Sequence, residues 1–186
     1  MTELLLVRHG ETDWNAERRW QGHADPPLNE RGRAQARELA ERLTGERIDA
    51  LYTSDLCRAR QTADEVAARL GLDPVPVADL REVDVGEWSG LTHAEIEARW
   101  PGAERWQVGE TPDAMAERVV AAVRRIADAH PGGRVLIVSH GGPIRAVRAA
   151  AARLRYEEHR KADPAAAKNC SVHGFTCKSG EFLSLD

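Results

Sequence analysis

Two segments of this sequence share a grammar that could do chemistry. The apolar run Leu4–Val7 leads into Arg8-His9-Gly10, and a run ending Leu136-Ile137-Val138 leads into Ser139-His140-Gly141-Gly142. A short, continuous apolar run suits a strand buried on both faces. Each histidine is therefore expected at the carboxyl end of a strand, with glycine beside it. Glycine permits close approach of the backbone to a ligand. In the second segment a helix is expected to begin at once, and its first N–H groups could hold an anion. A lone strand-end histidine is ordinarily a solvated one. Two at matching places, one beside an arginine, point to a shared site. A metal pair fits less well: no H-x-H, H-E-x-x-H or carboxylate-rich cluster accompanies them, and Arg8 would repel a cation.

The elements that must position these residues alternate in type. Ile48–Tyr52 and Arg134–Ser139 read as further strands, and Val75–Val77, between two prolines, as a short or edge strand. A helix is expected after an Asn29 cap, with Ala36, Leu39, Ala40 and Leu43 on one face and Gly45 as its stop. Others are expected over Arg58–Leu70, stopped by Gly71, over Glu95–Trp100, and over Pro112–His130, capped by Thr111 or Asp113. Pro143–Leu154 reads as a helix with proline at or near its first position. Two short strands around Ser179-Gly180 close the chain. This alternation predicts an α/β fold, a three-layer sandwich with a largely parallel central sheet and helices on both faces. Ligands in such folds bind beyond the carboxyl ends of the strands.

Length and composition narrow the classes. With 186 residues, 42% of them apolar and 30% charged, one domain over 1–186 with a real core is expected. A net charge of −4 excludes the broad basic surface of a general nucleic-acid binder. Of the 26 basic residues, 23 are arginine. Composition bias accounts for most of them, and the question is whether any converge on one place. Cys57, Cys170 and Cys177 fit neither a disulfide framework nor a zinc ribbon. No apolar run is long enough to span a bilayer, and a cytoplasmic protein with reduced thiols is expected.

Longer motifs surround the two histidines. In chain order they are Arg8-His9-Gly10-Glu11-Thr12-x-x-Asn15, Gln21-Gly22-x-x-Asp25-x-Pro27-Leu28 and Thr53-Ser54-Asp55-Leu56-x-Arg58-Ala59-x-x-Thr62. Leu80-Arg81-Glu82-Val83-x-x-Gly86-x-Trp88-x-Gly90, Ser139-His140-Gly141-Gly142 and Asn169-Cys170-Ser171 follow. The ordered set resembles the histidine phosphatase superfamily, also called the phosphoglycerate mutase-like family. The resemblance implies that His9 is a nucleophile that takes a phosphoryl group on Nε2, with Arg8, Arg58 and His140 lining the phosphate pocket. Two guanidiniums and a protonated or donating His140 would stand in for a metal ion, so neither metal nor cofactor is expected. Glu82 is implied as general acid, in the apolar setting of Val83, Val85 and Trp88. On its own chemistry it could merely pair with Arg81. Asn15, Gln21, Gly22 and the Gly141 N–H resemble secondary phosphate or substrate contacts.

The implied partner is a small phosphate monoester, with no nucleic acid and no membrane; a homodimer is left open. Phosphoglycerate mutases that use a bisphosphate cofactor carry larger insertions between the acidic loop and the next long helix. Here that stretch, from Glu82 to Pro112, is about 30 residues, which resembles the small phosphatase branch. The alternatives are a mutase, and a non-catalytic binding module that would lack His9 or Glu82. Trp14 and Trp20 flank the first loop, and Trp88, Trp100 and Trp106 the third, as loop packing or as an aromatic wall for an organic substrate. His23 and His93 have no assigned role. His130 is expected at a helix C-terminus, a favourable dipole contact.

Overall fold

The computed structural model describes residues 1–103, 109–165 and 167–185. Its six-stranded sheet contains β1 (Thr2–Arg8), β2 (Ala50–Thr53), β3 (Pro74–Pro76), β4 (Arg134–Ser139), β5 (Val172–Lys178) and β6 (Glu181–Ser184). The order across the sheet is β3-β2-β4-β1-β5-β6. The first four neighbours run parallel, and β5 and β6 are antiparallel additions. The helices are α1 (Asp13–Ala16), α2 (Glu30–Arg42), α3 (Cys57–Leu70), α4 (His93–Arg99), α5 (Pro112–Ala129), α6 (Gly141–Ala151) and α7 (Tyr156–Ala162).

Period-two geometry explains the apolar run of β1. Leu4 and Leu6 face one core with Met115, Val119 and Val123 of α5 and Ile144 and Val147 of α6. Leu5 and Val7 face the other, with Leu39 of α2 and Ala59, Ala63 and Val66 of α3. No position of the run Leu4–Val7 can be polar without meeting a core. The helix after β1 and the helix after β4 thus cover opposite faces, and the crevice between those strands opens at their carboxyl ends. Among the described residues no helix is long and apolar enough to cross a membrane.

Most expected boundaries are found within a residue or two, and the departures have local causes. Asn29 caps α2 by accepting the Gly32 N–H at 2.8 Å, a contact worth about 1 kcal/mol. That helix closes at Leu43, two residues before Gly45. α6 begins at Gly141, so Pro143 is its third residue rather than its first; a first-turn proline costs no helical hydrogen bond. It ends at Ala151, and α7 follows as a separate helix that periodicity misses, because Tyr156 and His159 are its only buried residues.

α1 ends in a Schellman motif. The Arg18 N–H meets the Asn15 carbonyl at 3.2 Å and the Arg19 N–H meets the Trp14 carbonyl at 2.8 Å. Arg18 itself is left-handed, at φ 57°. Glycine is the usual residue there, and a side chain costs roughly 1–2 kcal/mol.

Candidate active site

Strand register assembles the site. β1 and β4 pair with Arg8 opposite Ser139, so the next residues, His9 and His140, emerge side by side. Their ring centroids are 5.1 Å apart in an edge-on arrangement. β2 pairs with β4 through Thr53 and Val138, which brings Ser54 level with them. The Arg58 side chain on the first turn of α3 is fully buried.

Hydrogen bonding fixes both imidazoles. His9 Nδ1 lies 2.6 Å from the Gly10 carbonyl. A carbonyl only accepts, so Nδ1 carries the proton and the Nε2 lone pair is free. Burial, followed by the charges of Arg58 and Arg8, holds the His9 pKa well below 6.5. His140 Nε2 lies 2.9 Å from the Ser54 hydroxyl. That hydroxyl also accepts the Leu56 N–H; when it gives its own proton to Nε2, a neutral His140 bears its hydrogen on Nδ1. Burial and Arg58 also hold the His140 pKa well below 6.5. Of the two expected states of His140, protonated or donating, this environment favours the neutral donor.

The two arginines are pinned by main-chain carbonyls. Arg58 donates from Nη1 to Ala24 at 2.8 Å and from Nη2 to Gly22 at 2.9 Å. Burial lowers its pKa to about 10, so it stays charged at neutral pH. Arg8 donates from Nη1 to Ala167 at 2.6 Å. Arg8 Nε, Arg58 Nε and His140 Nδ1 are buried without a hydrogen-bond partner among the described residues, as is Gln21 Oε1. Buried unpaired donors are rare, and three around one imidazole make a cradle for an anion. Arg58→Lys should lower kcat/KM for p-nitrophenyl phosphate by about 10²–10³-fold. Lysine keeps the charge but lacks the fork that spans both carbonyls. Near-normal kinetics, in a variant shown by thermal melting to be folded, would remove Arg58 from the site.

Glu82 faces the same space. Its Oε1 accepts the Val83 N–H at 2.9 Å and its Oε2 the Gly142 N–H at 3.1 Å. Arg81 is occupied elsewhere, gripping Asp55 with Nε and Nη2 at 2.7 and 2.5 Å, so the simple Arg81–Glu82 pair does not form. The Glu82 carbonyl accepts from His23 Nε2 and from Arg118 Nη2, both at 2.9 Å. Arg118, on α5, also holds the carbonyls of Asp79 and Arg81 and forms a double contact with Glu110. Its sequence position gives no sign of this, since it resembles any arginine on a helix surface.

Gly142 makes room for the Glu82 carboxylate. A Cβ there would lie 2.1 Å from Glu82 Oε1. Gly142→Ala should raise helix propensity yet displace the carboxylate. The expected result is an unchanged or higher melting temperature with kcat/KM for an alkyl phosphate reduced at least about tenfold. Full activity in Gly142→Ala would show that the seen position of Glu82 is not the working one.

A cavity of about 480 Å³ opens onto Arg8, His9 and Glu82, while Arg58 and His140 are fully buried and are not among the residues lining it. Arg8, His9, Asn15, Gln21, Gly22, Glu82 and Gly141 all line it, as do Trp14 and Trp20. Asn15 is held by Thr12 in a reciprocal cap and lies 3.4 Å from Asn169 Nδ2, which also donates to the His9 carbonyl at 2.9 Å. Gly10 has a different purpose from that expected. Its bare face meets the backbone of Gly32, where a Cβ would lie 2.5 Å from the Gly32 oxygen, so it seats the loop on α2 rather than approaching a ligand. Trp88 is core, stacked edge-on with Trp20 at 6.2 Å, and Trp100 packs against that core. Trp106 lies outside the described residues. His93 is exposed at the start of α4, and His130, at the end of α5, bonds the Tyr52 hydroxyl at 2.9 Å. Sequence reasoning did not find Arg18, Arg145, Tyr156 and Arg160, which also line the cavity.

Comparison with known proteins gives a consistent picture. The family model of the histidine phosphatase superfamily (branch 1) matches residues 4–185. Phosphoglycerate mutase-like protein 4 of Arabidopsis thaliana is 44% identical over 158 residues, covering 78% of this chain and 69% of that protein. The metal-independent phosphoserine phosphatase of the same plant is 42% identical over 160 residues, covering 79% and 67%. Among solved structures, mycobacterial glucosyl-3-phosphoglycerate phosphatase in complex with VO3 superposes with a TM-score of 0.88 at 31% identity, covering 99% of this chain and 97% of that one.

Proposed function

The chain belongs to the histidine phosphatase superfamily, and on that premise we propose that it hydrolyses small phosphomonoesters through a phosphohistidine at His9, without a metal ion. The observation that carries this reading is the His9 imidazole: its proton is committed to Gly10, its Nε2 lone pair is free, and two buried guanidiniums flank it. A relative whose name describes a metal-independent phosphatase supports the metal-free part.

The steps follow from the groups present. The phosphate dianion lies against Arg8, Arg58 and the Nδ1–H of His140, whose positive charge and donors offset the charge on its oxygens. His9 Nε2 attacks phosphorus in line with the ester oxygen. The P–N bond forms, the P–O bond breaks, and the leaving oxygen takes a proton from Glu82. Water then attacks the phosphohistidine and gives a proton to Glu82. The P–N bond breaks, and phosphate and neutral His9 are restored.

The test is phosphate release from a panel of sugar phosphates, phosphoglycerates, phosphoserine and nucleotides, assayed with EDTA and with His9→Ala as the blank. Full turnover in EDTA is expected. Strict dependence on added Mg²⁺ would overturn the metal-free mechanism. Isomerisation of 3-phosphoglycerate outpacing phosphate release would make the protein a mutase.

A further inference from the structure

We infer that Arg18 binds a second anionic group, carried on the leaving group, and so makes this site selective for acidic phosphomonoesters; the inference rests on the phosphatase reading above. Arg8, which lines the cavity, and the fully buried Arg58 and His140 are the groups assigned above to the transferred phosphoryl group. More positive charge lines the same cavity than that group needs. Arg19 and Arg160 line it but are paired, with Glu17 and Glu95 and with Glu157. Arg145 lines it with its guanidinium spread over the carbonyls of residues 163–165 and no carboxylate partner among the described residues. Arg18 is exposed and lines the cavity, and it has no side-chain hydrogen bond or ion pair among the described residues. Glu82 is the one carboxylate among the described lining residues.

An exposed arginine is ordinarily solvated, and Arg18 is set apart by the cavity that it lines. It occupies the left-handed position of the Schellman turn after α1, where glycine is favoured. The α6 helix ends the same way with Arg153 at φ 56°. That residue faces Glu181 at 3.6 Å and is not among the residues lining the catalytic cavity. Arg18 instead adds an unpaired fork to the cavity wall, and a guanidinium there matches a carboxylate or a second phosphate in bidentate fashion. Trp14 and Trp20, which also line the cavity, give the carbon skeleton between the two anions an apolar surface.

The experiment compares kcat/KM for 3-phosphoglycerate, 2,3-bisphosphoglycerate and glycerol 3-phosphate in the wild-type chain and in Arg18→Gly. The first and last differ in carboxylate against hydroxymethyl, and the bisphosphate tests a second phosphate. Glycine suits the left-handed backbone, so the variant should fold at least as stably, which thermal melting checks. In the wild type at least one acidic ester should exceed glycerol 3-phosphate by about tenfold or more. In Arg18→Gly that ratio should collapse towards one, chiefly through KM. A wild-type ratio near one, or a ratio that survives Arg18→Gly, would overturn the inference. Turnover of p-nitrophenyl phosphate separates the failures: if it persists the phosphatase reading stands, and if it is absent with all esters that reading fails first.

Discussion

His9→Ala is expected to reduce phosphate release by at least about 10⁴-fold, because it removes the nucleophile rather than a contact to it. The loss should be in kcat, with phosphate still binding as a competitive ligand, since Arg8, Arg58 and His140 remain. The surrounding charges also set the pH dependence. As the proposed nucleophile His9 must be neutral to react, and burial with Arg58 and Arg8 lowers its pKa well below 6.5. The acid limb of the phosphorylation rate, measured by rapid quench, should therefore lie below pH 6.5. The same shift acts on stability. In the unfolded chain these imidazoles bind protons near 6.5, whereas folded His9 and His140 do not until lower pH. Folding is therefore most favoured above 6.5 and weakens as the pH falls. The melting temperature should drop on acidification, and drop less in His9→Ala. Residual turnover near the wild-type level would place the nucleophile elsewhere.

The sequence reveals which residues end the two buried strands, because an apolar run at both parities has few alternatives to a central strand. It does not reveal that those strands are neighbours. That depends on α2 and α6 packing on opposite faces, a property of side-chain contacts far apart in the chain. The two strand-end histidines are therefore legible one by one, and their 5.1 Å separation is not. The clamp on Glu82 is hidden for a related reason. Arg118 and His23 act on a main-chain carbonyl, and a carbonyl carries no sequence signature. Glycines mislead in the same way: Gly10 and Gly142 look alike beside their histidines, yet one meets the Gly32 backbone and the other a carboxylate. Of the many arginines, local sequence singles out Arg8 and Arg58 through their motifs. Arg18 is distinguished by its place on the cavity, which only the folded chain displays.

Glu82→Gln should separate the two halves of the reaction. Glutamine is nearly isosteric and keeps one acceptor oxygen for the Val83 or Gly142 amide, so phosphate affinity should change little. The proton for the leaving oxygen is lost. An alkoxide leaves poorly without it, and kcat/KM for an alkyl phosphate should fall by about 10²–10⁴-fold. A p-nitrophenolate is stable enough to leave unprotonated, and kcat/KM for its ester should fall far less. Turnover of that ester is nevertheless expected to slow, because the water that attacks phosphohistidine still lacks its base. The variant should thus release a burst of p-nitrophenol equal to the enzyme present, followed by a slow steady rate as phosphoenzyme accumulates. Equal losses in kcat/KM for the alkyl and nitrophenyl esters, with no burst, would leave Glu82 as a structural carboxylate. The acid would then have to come from water or from another group at the cavity wall.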